Sequence, residues 1–321
     1  MSSSFFQKAK KYLPFIGIFI LIYVIYSLDV DKITEAFLSV LPEYVILAIL
    51  LTIPVLFLRN YAWQLIQREQ HISLGFFSSL KILLISYFYG TISPGYLGQL
   101  VKVPYMKEKT GEPYGKLFIN VFIDTFLRSF SLYVMMILGA VLVVSLFPEL
   151  FYFTIFWVGL LVLIVLYFLK QQRGEKLFRL LVSYVVPKRW KSQFYQFVET
   201  FYTDFPRIRA LILPLVLGVI VWILIFTQEY LIVLALNLNI PYVYFLLLFP
   251  IANSAGYLPI TFAGLGAREL TAIVLFSTLF GVAEEKVFVL SLLGFIITYI
   301  LVSFVGFLLS LADARQKEIP A

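Results

Sequence analysis

Long apolar runs separated by short polar segments dominate this chain. Runs at about 13–28, 43–66, 116–146, 150–170, 210–236 and 287–311 carry few charges. A bilayer core about 30 Å thick takes about 20 apolar residues per helical crossing, so these runs predict membrane-spanning helices. They are continuous rather than short and alternating, which argues against a transmembrane β-barrel. Two further apolar stretches, about 72–92 and 242–281, are interrupted. In the second, Pro259, Gly264, Gly266 and the adjacent Arg268 and Glu269 stand between helical patterns at about 242–260 and 265–281. A fainter echo, Ile92-Ser93-Pro94-Gly95-Tyr96-Leu97-Gly98-Gln99, lies 168 residues earlier. At that offset Ile92, Leu97 and Gly98 fall on Ile260, Leu265 and Gly266. Paired interruptions in the two halves of a hydrophobic chain point to a transporter's binding site.

Charge orients the runs. Lys8, Lys10 and Lys11 precede the first run and place the N-terminus in the cytoplasm. From Lys170 to Arg209 nine basic residues face three acidic ones, which marks a second cytoplasmic segment. Counting back from that segment, the 72–115 region must begin and end inside. A re-entrant pair descending to Pro94-Gly95 meets this requirement. Its counterpart, about 242–282, is expected to enter from the other side and reach an external turn at Glu284-Glu285. Arg315 and Lys317 then bring the C-terminus inside.

The expected fold is an all-α polytopic membrane protein in one membrane domain. It has about six full spans plus two oppositely oriented re-entrant helix pairs in an inverted repeat. The halves run from about 10 to 147 and from about 149 to 312, with a cytoplasmic basic insert at 171–209. Eight or more ordinary spans are the alternative. Inverted repeats place the site at their interface near the midplane.

Composition agrees with a membrane location: 61% of residues are hydrophobic and only 13% charged. No small-residue cleavage site follows the first run, so it reads as a retained helix. The chain has no cysteine and a single histidine, His71, which argues against thiolate chemistry, a His-based metal site or a Ser-His triad. Membrane retention accounts for the net charge of +7 without a nucleic-acid partner. Walker and dinucleotide motifs are missing, so no cofactor is expected.

Candidate site residues follow from charge at membrane depth, where an ionisable group faces a cavity or a partner. Arg268 offers a planar donor fork for phosphate or carboxylate, and Gly264 and Gly266 can leave amides free at the start of the next helix. The other reading of Arg268 and Glu269 is a structural ion pair that pins the break. In the first half Gln99 and Lys102 occupy the matching place; Lys102 either guides a phosphate or simply faces the cytoplasm. Asp124 and Arg128 lie one turn apart and are positioned to pair along one helix face. At the 168-residue offset Asn60 aligns with Gln228. Their neighbours Arg59 and Glu229 read as a snorkelling cation and a candidate proton or cation carrier. Asn253 either donates neutral hydrogen bonds or caps the interrupted helix.

Gly264-Leu265-Gly266-Ala267-Arg268-Glu269, with Pro259 upstream, resembles the membrane region of lysylphosphatidylglycerol synthases and their stand-alone, UPF0104-type relatives. That family carries Gly-x-Gly-x-Arg-Glu in its later half. Its earlier half has Pro-Gly-x-x-Gly-Glu-x-x-Arg, a frame filled here by Pro94 to Lys102. Gln99 replaces the acidic residue and Lys102 the arginine, and Asp124-Thr125 stands where the family has an acidic–Arg pair. The resemblance covers roughly residues 10 to 312. It implies a flippase-like protein of the cell membrane that moves lipids with anionic or zwitterionic headgroups between leaflets. With Ala321 as its last residue, the chain is expected to lack the aminoacyl-transfer domain and not to be an enzyme. Expected partners are membrane lipids and a lipid-modifying enzyme. A secondary transporter of a soluble solute and a non-transporting partner of such an enzyme are the other classes.

Overall fold

A computed structural model describes residues 16–145, 205–254 and 263–318, together with Thr261 and parts of 147–163. Most of the expected helix at 150–170, the basic insert up to residue 204, the N-terminal lysines, Pro259 and Ile260 lie outside the described residues.

The described residues are helical, and four helices are long and apolar enough to cross a membrane. α1 (Ile16–Ser27) and α2 (Val30–Leu38) lead into α3 (Pro42–Glu69). α4 (Phe76–Thr91) runs to the first break, followed by a 3₁₀ turn at Leu97–Val101 and α5 (Lys102–Thr110). α6 (Tyr114–Leu142) closes the first half. The second half starts with a 3₁₀ turn at Ile208–Leu211 and α7 (Ile212–Ala235). α8 (Tyr242–Ser254) and α9 (Ala267–Phe280) flank the second break. α10 (Glu284–Phe295), a π-helical turn at Ile296–Ile300 and α11 (Leu301–Glu318) run on as one long helix.

Two details differ from the sequence reading. The acidic segment after the first apolar run, which the run pattern leaves without a helix, holds Asp29, Asp31 and Glu35. It folds into α2, because the Asp29 side chain caps the amides of Asp31 and Lys32. Glu284 and Glu285 form the first turn of α10, where carboxylates favour the positive end of the helix dipole. The turn itself falls just before them, at left-handed Gly281.

The helices around the breaks are short. At 1.5 Å per residue α4 and α9 extend about 24 and 21 Å, less than a bilayer core, and the described part of α8 about 20 Å. α4 and α8 each lean on a long helix of the other half, whereas α9 packs on α8 and α10 of its own half and on α1. Among the described residues α3 and α7 share the most extensive contact; α4 lies along α11, and α8 lies along α6. Glycines make both crossed contacts close. A Cβ on Gly306 of α11 would overlap the Leu84 carbonyl of α4, and one on Gly139 of α6 would overlap the Leu247 carbonyl of α8. The α4–α11 seam also carries polar links: Lys81 to Asp313 at 2.5 Å, Thr91 to Ser303 at 2.8 Å and Tyr89 to Ser310 at 3.2 Å. The main core gathers side chains such as Trp222, Phe226, Phe245 and Phe276 around α7, α8 and α9.

Gly139→Ala and Gly306→Ala are each expected to lower stability by about 1–3 kcal/mol through overpacking. Gly75→Ala, which meets open space, is the control and should leave it unchanged. Thermal unfolding in detergent measures the difference.

Candidate functional site

The polar residues of the spanning helices recur at helical spacing. On α6, Asn120, Asp124 and Arg128 form one stripe; on α3, Arg59, Trp63 and Gln67 form another. The fold turns these stripes toward the first break, and the charges meet there. Lys102, fully buried at the start of α5, gives its Nζ to Asp124 Oδ2 at 2.7 Å. The same ammonium lies 4.5 Å from the ring centroid of Trp63. Trp63 Nε1 donates to Asn120 Oδ1 and Asn120 Nδ2 to Gln70 Oε1, both at 2.8 Å.

Asp124 and Arg128, expected to pair with each other, turn to different partners. Asp124 meets Lys102, and Arg128 donates to Gln99 Oε1 at 2.8 Å. The reason is the intervening 3₁₀ turn, which brings Gln99 and Lys102 in from the break against α6. Gly98 allows that approach, since a Cβ there would overlap the Tyr89 carbonyl. Arg59, expected to snorkel, is buried with its guanidinium 4.4 Å from the Tyr87 ring centroid.

A cleft of about 30 Å³ opens between α3, α6 and α7. Arg59, Asp124 and Arg128 supply its charges, and Pro214, Gly218 and Val221 of α7 form the facing wall. The space suits one or two water molecules. Arg128 Nε is buried and has no hydrogen-bond acceptor among the described residues.

The second break is organised around Arg268 and Glu269, both at most 1% exposed. Ala263, Gly264 and Gly266 all have positive φ, at 49°, 86° and 85°. Gly266 accepts this conformation without a Cβ penalty and starts α9. Glu269 then reaches back, and its Oε2 accepts the Gly266 amide at 2.6 Å. Its other oxygen takes the Arg268 guanidinium, and Arg268 Nε donates to Ser291 of α10 at 3.1 Å. The guanidinium sits 4.5 Å from the Phe295 ring centroid. Arg268 is therefore engaged on both of its bonded edges, and Glu269 occupies the amide that Gly266 offers.

Asn60 and Gln228 serve as tethers between helices. Asn60 Nδ2 donates to the Phe76 carbonyl of α4 at 3.0 Å. Gln228 Nε2 donates to the Ala48 carbonyl at 2.8 Å and to Thr52 at 2.7 Å, both on α3. Asn253, at the end of α8, accepts from the Tyr299 hydroxyl at 3.4 Å, and its Nδ2 is buried without a partner among the described residues. Glu229 is 2% exposed on α7, packed against Gly294.

The cations at both breaks share one aromatic cluster. Trp63, Tyr87, Tyr96, Phe295 and Tyr299 pack together, and the Tyr96 hydroxyl crosses to the Ala263 carbonyl at 3.2 Å. The sequence reading missed Trp63, Asn120 and Ser291. The i, i+4 polar stripes on α3 and α6 carried the signal for the first two; Ser291 had none.

Residues 14–306 match the sequence profile described as the lysylphosphatidylglycerol synthase TM region. The chain belongs to this family. A UPF0104 membrane protein of Methanocaldococcus jannaschii is 24% identical over 317 residues, spanning 94% of each chain. This member of the lysylphosphatidylglycerol synthase TM-region family is thus a multi-pass membrane protein with charged groups buried at both helix breaks.

Removing one partner of a buried ion pair leaves the other uncompensated and costs about 3–5 kcal/mol. Lys102→Ala and Asp124→Ala should each show a loss of that order in denaturant unfolding. The double variant should lose less than the sum, since the pair acts as a unit. Additive losses would show that the two side chains do not interact.

Proposed function

We propose that this protein moves a lipid with an anionic or zwitterionic headgroup between leaflets, with the headgroup phosphate held at the cleft between α3, α6 and α7. The observation that carries this reading is the charge count there. Among the described residues, Arg59, Lys102 and Arg128 lie around one carboxylate, Asp124, inside an apolar bundle. Cationic side chains at membrane depth are stabilised when an anion shares their place. Arginine forks match phosphate oxygens, and Arg128 Nε has no acceptor to lose when one arrives.

In this reading the headgroup role expected of Arg268 falls to Arg128 and Arg59. Arg268, Glu269 and the Gly264–Gly266 turn hold the second break in shape, and Gln99 and Lys102 position the cleft charges from behind. A phosphate is larger than the cleft, so its entry requires α7 to draw back from α3 and α6.

The crossed packing of α4 on α11 and α8 on α6 supports an inverted repeat in which the two breaks belong to oppositely inserted re-entrant pairs. The matching glycine contacts of Gly139 and Gly306 support the same relation. Such a repeat gives a rocking transporter two access routes to one midplane region. With cytoplasmic termini, the starts of α6 and α7 and the end of α3 lie on the inner side, and the cleft opens toward the cytoplasmic leaflet. The name of the family adds the lipid: a lysylphosphatidylglycerol synthase membrane region works beside lipid-modifying chemistry, and an enzyme of that kind is the expected partner.

The test is transfer of a labelled phosphatidylglycerol across proteoliposome membranes. A hydrogen bond to a charged group contributes about 1.5–3 kcal/mol, so Arg128→Gln should slow transfer by about tenfold or more. Its thermal unfolding should stay near that of the wild type. Unchanged transfer by a folded Arg128→Gln protein would refute the headgroup site. Uptake of a water-soluble anion without lipid transfer would replace the flippase reading with solute transport.

A further inference from the structure

The two charged groups have opposite balances. Among the described residues, three cations lie around the cleft with one carboxylate, whereas at the second break two carboxylates, Glu229 and Glu269, meet one guanidinium, Arg268. Glu269 is bonded to that guanidinium; Glu229 feels it across space. Glu229 sits 11 residues beyond Gly218 on α7, about 16 Å along the helix from the cleft wall. It is a separate place with a separate need.

We infer that Glu229 is a proton-binding site. Its carboxyl is buried, and Oε2 finds no hydrogen-bond donor among the described residues. The hydroxyl that faces it, Thr298 Oγ1, is likewise buried. A proton on the carboxyl supplies the missing donor and cancels the surplus charge, which in an apolar interior would otherwise stand uncompensated.

A proton suits the place better than a larger cation. A metal ion needs a shell of oxygens, and among the described residues this place offers Glu229 and Thr298. Gly294 of α10 presses on the carboxyl from one side, where an added Cβ would lie 3.2 Å from Glu229 Cγ. Among the described residues the charge in reach is Arg268, from α9. At this level α3 contributes Thr52, bonded to Gln228, and α8 contributes Tyr242, bonded to Thr227. α10 contributes Ser291, bonded to Arg268. α6 meets α7 at Trp222, about two turns away, through the Arg128 carbonyl.

Thr298 belongs to the π-helical turn at Ile296–Ile300. Such turns loosen the regular backbone ladder and occur often at functional sites. A shift of this turn moves the hydroxyl relative to Glu229 and provides a way to bind and release the proton.

The test is infrared difference spectroscopy on the full chain reconstituted in lipid, with the bath cycled between acid and alkaline pH. It needs no substrate, so its outcome is independent of the transport reading above. A protonated-carboxyl band that comes and goes in the wild type and is missing in Glu229→Gln is the expected result. Gly294→Ala, which keeps the carboxylate but crowds it, should shift the band rather than remove it, and serves if Glu229→Gln folds poorly. The same band in a folded Glu229→Gln protein, or its displacement by Na⁺ at constant pH, would overturn the proposal.

Discussion

Ionisable side chains inside an apolar helical bundle must find partners, and much of the architecture around the breaks follows from that requirement. Arg59, Lys102, Asp124, Glu229, Arg268 and Glu269 are all buried. Water at this depth is scarce, so carboxylates, hydroxyls, amides and aromatic faces take its place. Lys102 lies between Asp124 and Trp63, and Arg268 between Glu269, Ser291 and Phe295. Each cation thus joins a broken segment to a long helix. The breaks and the charges stabilise one another: the glycine-rich turns deliver the charges, and the ion pairs hold the turns.

The same requirement explains why the two breaks differ. At the second, Arg268 and Glu269 are neighbours in sequence and close on each other, so the group is compact. At the first, Gln99 and Lys102 must reach across to α6, and Arg59 comes from α3. The charges there are spread around a cleft instead of locked in one pair. Spread charges facing an opening are suited to binding, whereas a closed pair is suited to holding shape. The assignment of headgroup to the first break and of structural closure to the second rests on this distinction.

Glu229 and one wall of the Arg128 cleft lie on one helix, α7, which also makes, among the described residues, the most extensive contact of the bundle with α3. A movement of α7 therefore alters the cleft wall and the surroundings of Glu229 together. That shared element is a physical route by which events at the two places become linked. Coupling through it requires two packed arrangements of α7, since close-packed interfaces switch rather than stretch.

Much of this protein was legible along the chain. Run length predicted the long helices, because a bilayer core demands a minimum span. Clustered proline and glycine marked both breaks, because glycine takes positive φ there without a penalty and proline lacks an amide for the ladder. Charge at membrane depth singled out Arg268, Glu269, Asp124 and Glu229, because the cost of burying charge is independent of fold. Partner choice was not legible. Asp124 and Arg128 are spaced to pair, yet one turns to Lys102 and the other to Gln99, because the 3₁₀ turn after the break brings those groups nearer. Arg59 has the sequence of a snorkelling residue, and the fold buries it over Tyr87. Local spacing decides which side chains share a helix face. Only the packing of one helix on another decides what that face meets, and here that packing brought isolated charges together around a cleft and buried the Glu229 carboxyl.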